Sequence, residues 1–322
     1  SGISGGWAAK ELTEKGAKTL VLERGREVVH IRDYPTTNMA PWEFQFRTRI
    51  SKETAEEYPI QKLKYNFNES SKHFFASDKK HPFTTSEEKP FRLYRSFQSG
   101  GKGIIWGRQT YRWSDIDFEA NMRDGVAIDW PVRYKDIAPW YDYVEKYIGV
   151  SGQNEGYEQL PDGHFLPPMK MNCVEKDFRT KIKSQLNRDM TIGRVANLTR
   201  PHNGRGACQY RNLCERGCPY GAYFNSVSVT LPAAQATGNL TFRANSIVHS
   251  VIYDDSTGKA SGVRVIDAET KETTEYYARV VFLCASALSS TRIMLNSTSN
   301  AFPEGIANSS GMLGHNLMDH FG

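Results

Sequence analysis

The first 25 residues combine a helical pattern of apolar positions with a short apolar run. Residues 3–12 carry apolar and small residues at helical spacing, and Gly16 ends that segment. Residues 19–22 form a short apolar run, and Glu23 follows at its carboxyl end. The order predicts a helix packed on a strand of an α/β sheet.

A second patterned region extends from residue 241 to residue 295. It predicts two strands, a tight glycine turn over Asp254–Gly262, another strand, a polar turn and a last strand. Val280–Leu283 is a continuous apolar run, as expected of a strand buried on both faces. Small residues, Cys284–Ala287, then lead into a predicted helix through Leu295. We expect these strands to complete the sheet, and Cys284 to belong to the core.

Glycines at the start of the first helix indicate nucleotide binding. Gly2 and Gly5 have the spacing of the second half of G-x-G-x-x-G, and Glu23 lies 21 positions after Gly2. Glycines let the backbone approach a pyrophosphate, the helix N-terminus supplies N–H donors, and the acid suits ribose hydroxyls. The alternative is an ordinary βαβ turn without a nucleotide. The motif alone does not choose between FAD and NAD.

Composition and charge narrow the class of protein. The chain has 322 residues, of which 39% are hydrophobic and 24% charged, as is typical of globular proteins. The net charge is +5, and lysine and arginine are scattered among acidic residues, so nucleic acid is not an expected partner. No run approaches the ~18 apolar residues of a membrane helix. Without an initial Met, the chain is expected to be a fragment.

Three further stretches resemble the glucose–methanol–choline (GMC) flavoprotein oxidoreductases. RSFQSGGKGIIWGRQTYRW (residues 95–113) resembles the family's Gly-Gly loop, which lies along the flavin. DWPVRYKDIAPWYDYVEKYIGVSG (residues 129–152) and GHNLMDH (residues 314–320) resemble two other family segments. The resemblance implies FAD and a mixed α/β fold, with a Rossmann-like FAD-binding domain and a second, substrate or cap domain.

The resemblance also implies domain bounds and site residues. The segments expected are an FAD-binding piece (1–34), an insertion or cap (35–93), the Gly-Gly region (94–125), a substrate-domain segment (126–205), a cysteine loop (206–224) and a last FAD-binding piece (225–322). The residues expected to contact FAD are Gly2, Gly5, Gly6, Glu23, Arg24, Gly100, Gly101, Gly103, Trp106, Val248, Ala285 and Ser286. For each one taken singly, plain packing is the alternative.

Two departures from the family pattern bear on the chemistry. Ile105 stands where some sugar-oxidising relatives carry a histidine bonded to the flavin, so we expect FAD to be non-covalent. The family's catalytic histidine is expected beyond residue 322, and we therefore name no catalytic base. His315 is expected to be structural, whereas His320 is expected to brace the cofactor.

Three cysteines lie close together as Cys208-x5-Cys214-x3-Cys218, followed directly by Pro219. A disulfide would leave one thiol over, zinc prefers four ligands, and a proline after the last cysteine is common at iron–sulfur clusters. The spacing resembles that of FAD-containing catalytic subunits of bacterial sugar dehydrogenases, which implies a 3Fe–4S cluster. A disulfide, free thiols or zinc remain alternatives, and Cys173 and Cys284 are expected to be unrelated.

By resemblance, the function expected is an FAD-dependent dehydrogenase that oxidises a sugar or glycoside hydroxyl, with glycoside 3-dehydrogenase favoured. Electrons would leave through the cluster to a cytochrome c subunit, and a small chaperone-like subunit is a further expected partner. A periplasmic or membrane-associated location is expected on the same grounds. The alternatives are an oxygen-dependent oxidase, a gluconate or polyol dehydrogenase, and an FAD-binding scaffold without activity.

Overall fold

The computed structural model describes residues 1–317. Unit 1 comprises Ser1–Ile105, Glu215–Gly217 and the chain from Asn225 onward, and unit 2 comprises Trp106–Cys214 and Cys218–Phe224. The segment bounds expected from the sequence stay a prediction.

The helices of unit 1 are α1 (Ile3–Glu14), α2 (Lys52–Glu57), α7 (Thr230–Ala236) and α8 (Ala287–Leu295), and those of unit 2 are α3 (Asp115–Phe118), α4 (Ala120–Asp124), α5 (Tyr134–Ile148) and α6 (Cys173–Leu186). The strands are β1 (Thr19–Leu22), β2 (Leu240–Arg243), β3 (Ser246–Asp254), β4 (Lys259–Asp267) and β5 (Thr273–Tyr277). No helix among residues 1–317 has the length and apolar character needed to cross a bilayer.

Unit 1 begins with the helix and strand that the sequence predicts. The small residue Ala9 of α1 is buried against Leu231 and Ala234 of α7, so the two helices lie close together. Gly16, with φ of +84°, ends the turn after α1 in a conformation that favours glycine. β1 pairs in parallel with β2, and the helix and strand bounds confirm the pattern read from residues 3–22.

The later strands differ from the prediction in how they pair. Only β2 joins β1, whereas β3, β4 and β5 form a separate antiparallel sheet in that order. The expectation that all of them complete one sheet is therefore wrong. The reason is that β3, β4 and β5 follow one another through short turns, and consecutive strands joined in this way pair antiparallel. Val251, Val263 and Val265 of this sheet pack against Ile293 of α8.

The predicted buried strand at residues 280–283 is also wrong. The segment forms no strand, and Val280 and Phe282 are 65% and 57% exposed, so one side of the run is uncovered. Val281 and Leu283 pack against the core formed with β3 and β4. No strand within residues 1–317 pairs with this run. Cys284 is likewise half-buried rather than a residue of a core strand.

Residues 28–105 fold largely without regular structure around an aromatic core. Tyr34, Phe67, Phe74 and Phe75 are buried there, together with Ile104 and Ile105 from the Gly-Gly region. The Phe67 and Phe75 rings meet edge to face at 5.0 Å. The burial of these rings, rather than a backbone ladder, holds this part of the chain in place.

Unit 2 is organised by buried arginines. Arg112 donates from Nε to Glu145 of α5 at 2.9 Å, and both residues are buried. Arg194, fully buried, donates to the Pro161 carbonyl at 2.6 Å and pairs with Glu155 at 3.2 Å. A buried charge requires such partners, and these contacts fix the irregular loops of unit 2.

Candidate functional site

Two glycine loops that are about 100 residues apart in sequence meet at the start of α1. The Gly100 N–H donates to Ser1 Oγ at 3.2 Å. A Cβ atom on Gly101 would lie 3.7 Å from Gly2 Cα, and one on Gly103 would lie 3.4 Å from the Ile3 side chain. Gly100 and Gly101 also have φ of +79° and +49°, so any other residue would be strained there. The structure thus brings the predicted glycine motif and the predicted Gly-Gly loop together.

A third segment, which the sequence reading missed, lies against both loops. Ser226 Oγ donates to the Gly2 carbonyl at 2.9 Å. A Cβ on Gly6 would lie 2.5 Å from Thr230 Oγ1, and one on Gly100 would lie 2.7 Å from Val227 Cγ2. These residues are of ordinary types, and no spacing marks them in the sequence. Contact with the glycines is their distinguishing feature.

Glu23 stands at the end of β1 beside the glycine motif. It is 9% exposed, and its Oε1 accepts the Gly25 N–H at 3.0 Å. Its Oε2 accepts a hydrogen bond from Ser1 Oγ at 2.5 Å. The carboxylate therefore lies next to the first residues of α1, where the sequence predicts a ribose.

Positive charge gathers around Arg24, the residue after Glu23. The Arg24 guanidinium lies over the Phe97 ring, 3.9 Å from its centroid. Burial lowers the pKa of Arg24, and the nearby charges of Arg292 and Arg95 lower the pKa further. The cofactor role of Arg24 stays a prediction, since this arrangement favours an anion without identifying it.

Ala285 and Ser286 lead into α8 near the glycine motif. A Cβ on Gly5 would lie 3.3 Å from Cys284 Cβ, so this segment approaches the first turn of α1. Ser286 has φ of +68° although it is not glycine, and both residues are exposed. Unusual backbone conformations of this kind cluster at binding sites.

The remaining predicted residues are Val248 and Trp106, and their roles at the cofactor stay predictions. Val248 is in β3, half-buried against the core, two residues beyond Ser246, whose N–H donates to the Glu23 carbonyl at 2.8 Å. Trp106 belongs to unit 2, where its Nε1 donates to the Phe224 carbonyl at 2.9 Å. The Ile105 side chain is 1% exposed and lies in the aromatic core.

His315 is exposed, and its backbone N–H bonds the Met312 carbonyl. His320 lies outside the described residues.

The three cysteines of the loop are all in unit 2 and half-buried. The Tyr210 N–H donates to Cys208 Sγ at 3.4 Å, and none of the chain's five cysteines, all of which are described, forms a disulfide. Within residues 1–317, no group of three or more His, Cys, Asp or Glu side chains is arranged to hold a metal ion. The described residues thus do not show a cluster site, and the 3Fe–4S cluster stays a prediction.

The residues around α1 do fit a dinucleotide such as FAD. Glycines on two loops leave the backbone open to close approach, α1 presents its N-terminus without a side-chain cap, and Glu23 supplies an acceptor. Asn225, also of this region, holds a buried amide nitrogen without a hydrogen-bond partner among residues 1–317. A buried donor without a partner, together with glycine backbone that a ligand can approach closely, is consistent with a nucleotide site.

The fold and this site define a class of protein, and comparison with known families identifies it. Residues 127–322 match the GMC oxidoreductase family, and the chain belongs to that family. The family resemblance and the α/β fold class predicted from the sequence are confirmed.

Two named relatives share part of their length with the chain. The fructose dehydrogenase large subunit of Gluconobacter japonicus is 25% identical over 100% of this chain and 57% of its own. The 6'''-hydroxyparomomycin C oxidase of Streptomyces lividus is 27% identical over 68% of this chain and 40% of its own. The chain spans about half the length of these relatives.

A solved structure shares the fold. An FAD-dependent oxidoreductase from Chaetomium thermophilum aligns with 92% of this chain and 46% of its own, at a TM-score of 0.53 and 13% identity.

Proposed function

We propose that the chain is part of an FAD-dependent dehydrogenase that oxidises a hydroxyl group of a sugar or glycoside. The observation that carries the proposal is the meeting of the two glycine loops beside Glu23 in a GMC oxidoreductase. Similarity over the whole chain to a protein named fructose dehydrogenase large subunit supports the sugar class. Within that class, we propose a glycoside 3-dehydrogenase.

FAD, when bound, would supply the acceptor for the hydride that leaves the substrate carbon as its hydroxyl becomes a carbonyl. The residues of this chain hold and orient that cofactor. The N–H groups in the first turn of α1 would donate to its diphosphate, and the Glu23 carboxylate would accept hydrogen bonds from its ribose hydroxyls. The hydroxyl proton would go to a general base, which we do not assign to any residue of this chain.

Non-covalent attachment is the first test of the proposal. With Ile105 in place of a linking histidine, acid precipitation of the holoenzyme should release a yellow flavin into the supernatant. Flavin retained in the pellet would contradict non-covalent binding, and a colourless protein would contradict the proposed cofactor. Anaerobic bleaching of the flavin by sugars and glycosides, but not by simple alcohols, tests the substrate class.

A 3Fe–4S cluster on Cys208, Cys214 and Cys218 is a further part of the proposal, supported by their spacing alone. Among residues 1–317 the three thiols are not grouped as a ligand set, so iron has to be measured directly. About three irons per FAD in anaerobically purified enzyme, lost in Cys214→Ser, would support it. An iron-free enzyme that reduces oxygen would favour an oxidase instead, and one relative is named an oxidase.

The proposed partners follow from the same comparisons. The fructose dehydrogenase relative is named a large subunit, which supports additional subunits here, such as a cytochrome c or a small chaperone-like subunit. Co-purification from the native source, followed by haem staining, tests the cytochrome. A periplasmic or membrane-associated location is proposed with it.

A further inference from the structure

Asn225 carries a buried polar group whose partner is missing. The residue is 0% exposed and belongs to unit 1. Its Oδ1 accepts the Ser228 N–H at 2.9 Å, whereas its Nδ2 has no hydrogen-bond partner among residues 1–317. Since the Ser228 N–H can only donate, it fixes which end of the amide is oxygen and hence where the nitrogen lies. A buried N–H without an acceptor costs free energy, so a partner is expected.

The position of Asn225 indicates where that partner belongs. The next residue, Ser226, bonds the Gly2 carbonyl at 2.9 Å. The one after it, Val227, has its Cγ2 2.7 Å from where a Cβ on Gly100 would stand. Asn225 thus directly precedes the two residues that contact both glycine loops. The Asn225 amide directly precedes those contacts, and the Thr230 hydroxyl beside Gly6 is a second buried group of this segment without a partner among residues 1–317.

We propose that the Asn225 side-chain amide donates a hydrogen bond to an oxygen of FAD. The proposal rests on the proposed function for the presence of FAD. The dinucleotide offers acceptors along its whole length, as phosphate oxygens, hydroxyls and ring carbonyls, and a neutral amide can serve any of them. The donor therefore contributes to cofactor affinity, while its nitrogen makes no stabilising hydrogen bond in the apo-protein.

Because the amide nitrogen is proposed to bond FAD and not another group of the protein, its loss should affect cofactor affinity but not the stability of the apo-protein. Asn225→Ser keeps a side-chain oxygen that can accept the Ser228 N–H but removes the amide nitrogen, and Asn225→Ala removes both groups. We expect both variants to raise the Kd for FAD at least tenfold, measured by quenching of flavin fluorescence on titration of the apo-protein. The melting temperature of the Asn225→Ser apo-protein should stay close to that of the wild type.

Asn239 provides a matched control, because its Nδ2 donates to the Thr13 carbonyl at 3.0 Å within the protein. Asn239→Ala should lower the melting temperature of the apo-protein and leave the Kd for FAD within about twofold. Titration with ADP-ribose locates the acceptor. Weakening with both ligands places it on the ADP half, weakening with FAD alone places it on the flavin half, and either result supports the proposal.

Two results would overturn the inference while leaving the proposed function intact. One is a wild-type Kd for FAD in both Asn225 variants. The other is a large fall in the melting temperature of the Asn225→Ser apo-protein, since the nitrogen would then have a partner inside the protein. Wild-type apo-protein that fails to bind FAD would contradict the proposed function itself, and the inference with it.

Discussion

Gly217, between the second and third cysteines of the loop, is a position where a single methyl group should be costly. Its φ is +83°, and a Cβ atom there would lie 2.5 Å from Tyr34 Cγ and 2.6 Å from Tyr34 Cδ1. Tyr34 is 3% exposed, and its ring meets Phe74 edge to face at 6.0 Å. The Gly217 carbonyl also accepts Thr37 Oγ1 at 2.7 Å. Neither the ring nor the loop has room to move.

The magnitude follows from two separate effects. A non-glycine residue in the left-handed conformation costs about 1–2 kcal/mol, and forcing extra atoms into a packed core costs about 1–3 kcal/mol. Gly217→Ala should therefore lower the free energy of unfolding by about 2–5 kcal/mol. Gly238 is the matched control, since its φ is +69° but no atom lies within 4 Å of an added Cβ. Gly238→Ala should show only the conformational cost of about 1–2 kcal/mol.

Urea denaturation followed by tryptophan fluorescence measures both variants against the wild type. The difference between the two variants isolates the clash with Tyr34. In a Tyr34→Ala background, which lacks Cγ and the ring, Gly217→Ala should cost no more than Gly238→Ala does in the wild type, as expected of residues in direct contact. Equal losses in Gly217→Ala and Gly238→Ala would refute the reasoning, because the ring would then offer no obstacle.

Two further predictions concern charge. Glu23→Gln should weaken FAD retention by about 1–3 kcal/mol because a charge-assisted acceptor is lost, and an unchanged Kd on titration of the apo-protein would remove Glu23 from the site. Burial, with the nearby charges of Arg26 and Lys72, lowers the pKa of His73 from 6.5 to about 4. Between pH 6.5 and 4, His73 therefore binds a proton in the unfolded chain but not in the folded chain. The free energy of unfolding should thus fall as pH falls through this range. His73→Phe should flatten this part of the denaturation profile, and an unchanged slope would contradict the assignment.

Local spacing was enough to predict the start of the site. The pattern of residues 3–22 predicts α1 and β1 because helix period, glycine position and apolar run are properties of neighbouring residues. The two glycine loops were predicted by motif and resemblance, and they do meet. Ser226 and Val227 could not be found in this way, because their contacts lie with glycines more than 100 residues away.

The pattern of apolar positions also could not predict which strands pair with one another. An apolar run such as Val280–Leu283 becomes a buried strand only if other strands pair with its edges and other elements cover its faces. Tertiary contacts decide both. The same limit applies to the cysteines. Their spacing indicates a ligand set, but whether three thiols converge depends on the path of the loop, in which Tyr210 and Asn212 adopt left-handed conformations.

Gly25, just after the acidic end of β1, has a consequence for attempts to alter cofactor preference by directed evolution. A Cβ atom at this position would lie 1.9 Å from the Phe97 carbonyl oxygen and 2.4 Å from the Gln98 nitrogen. Both obstacles are main chain, so no change of a neighbouring side chain relieves them. In a saturation library over residues 23–25, folded variants should therefore carry different residues at positions 23 and 24 but only glycine at position 25. Keeping Gly25 fixed would reduce the number of variants to be screened twentyfold.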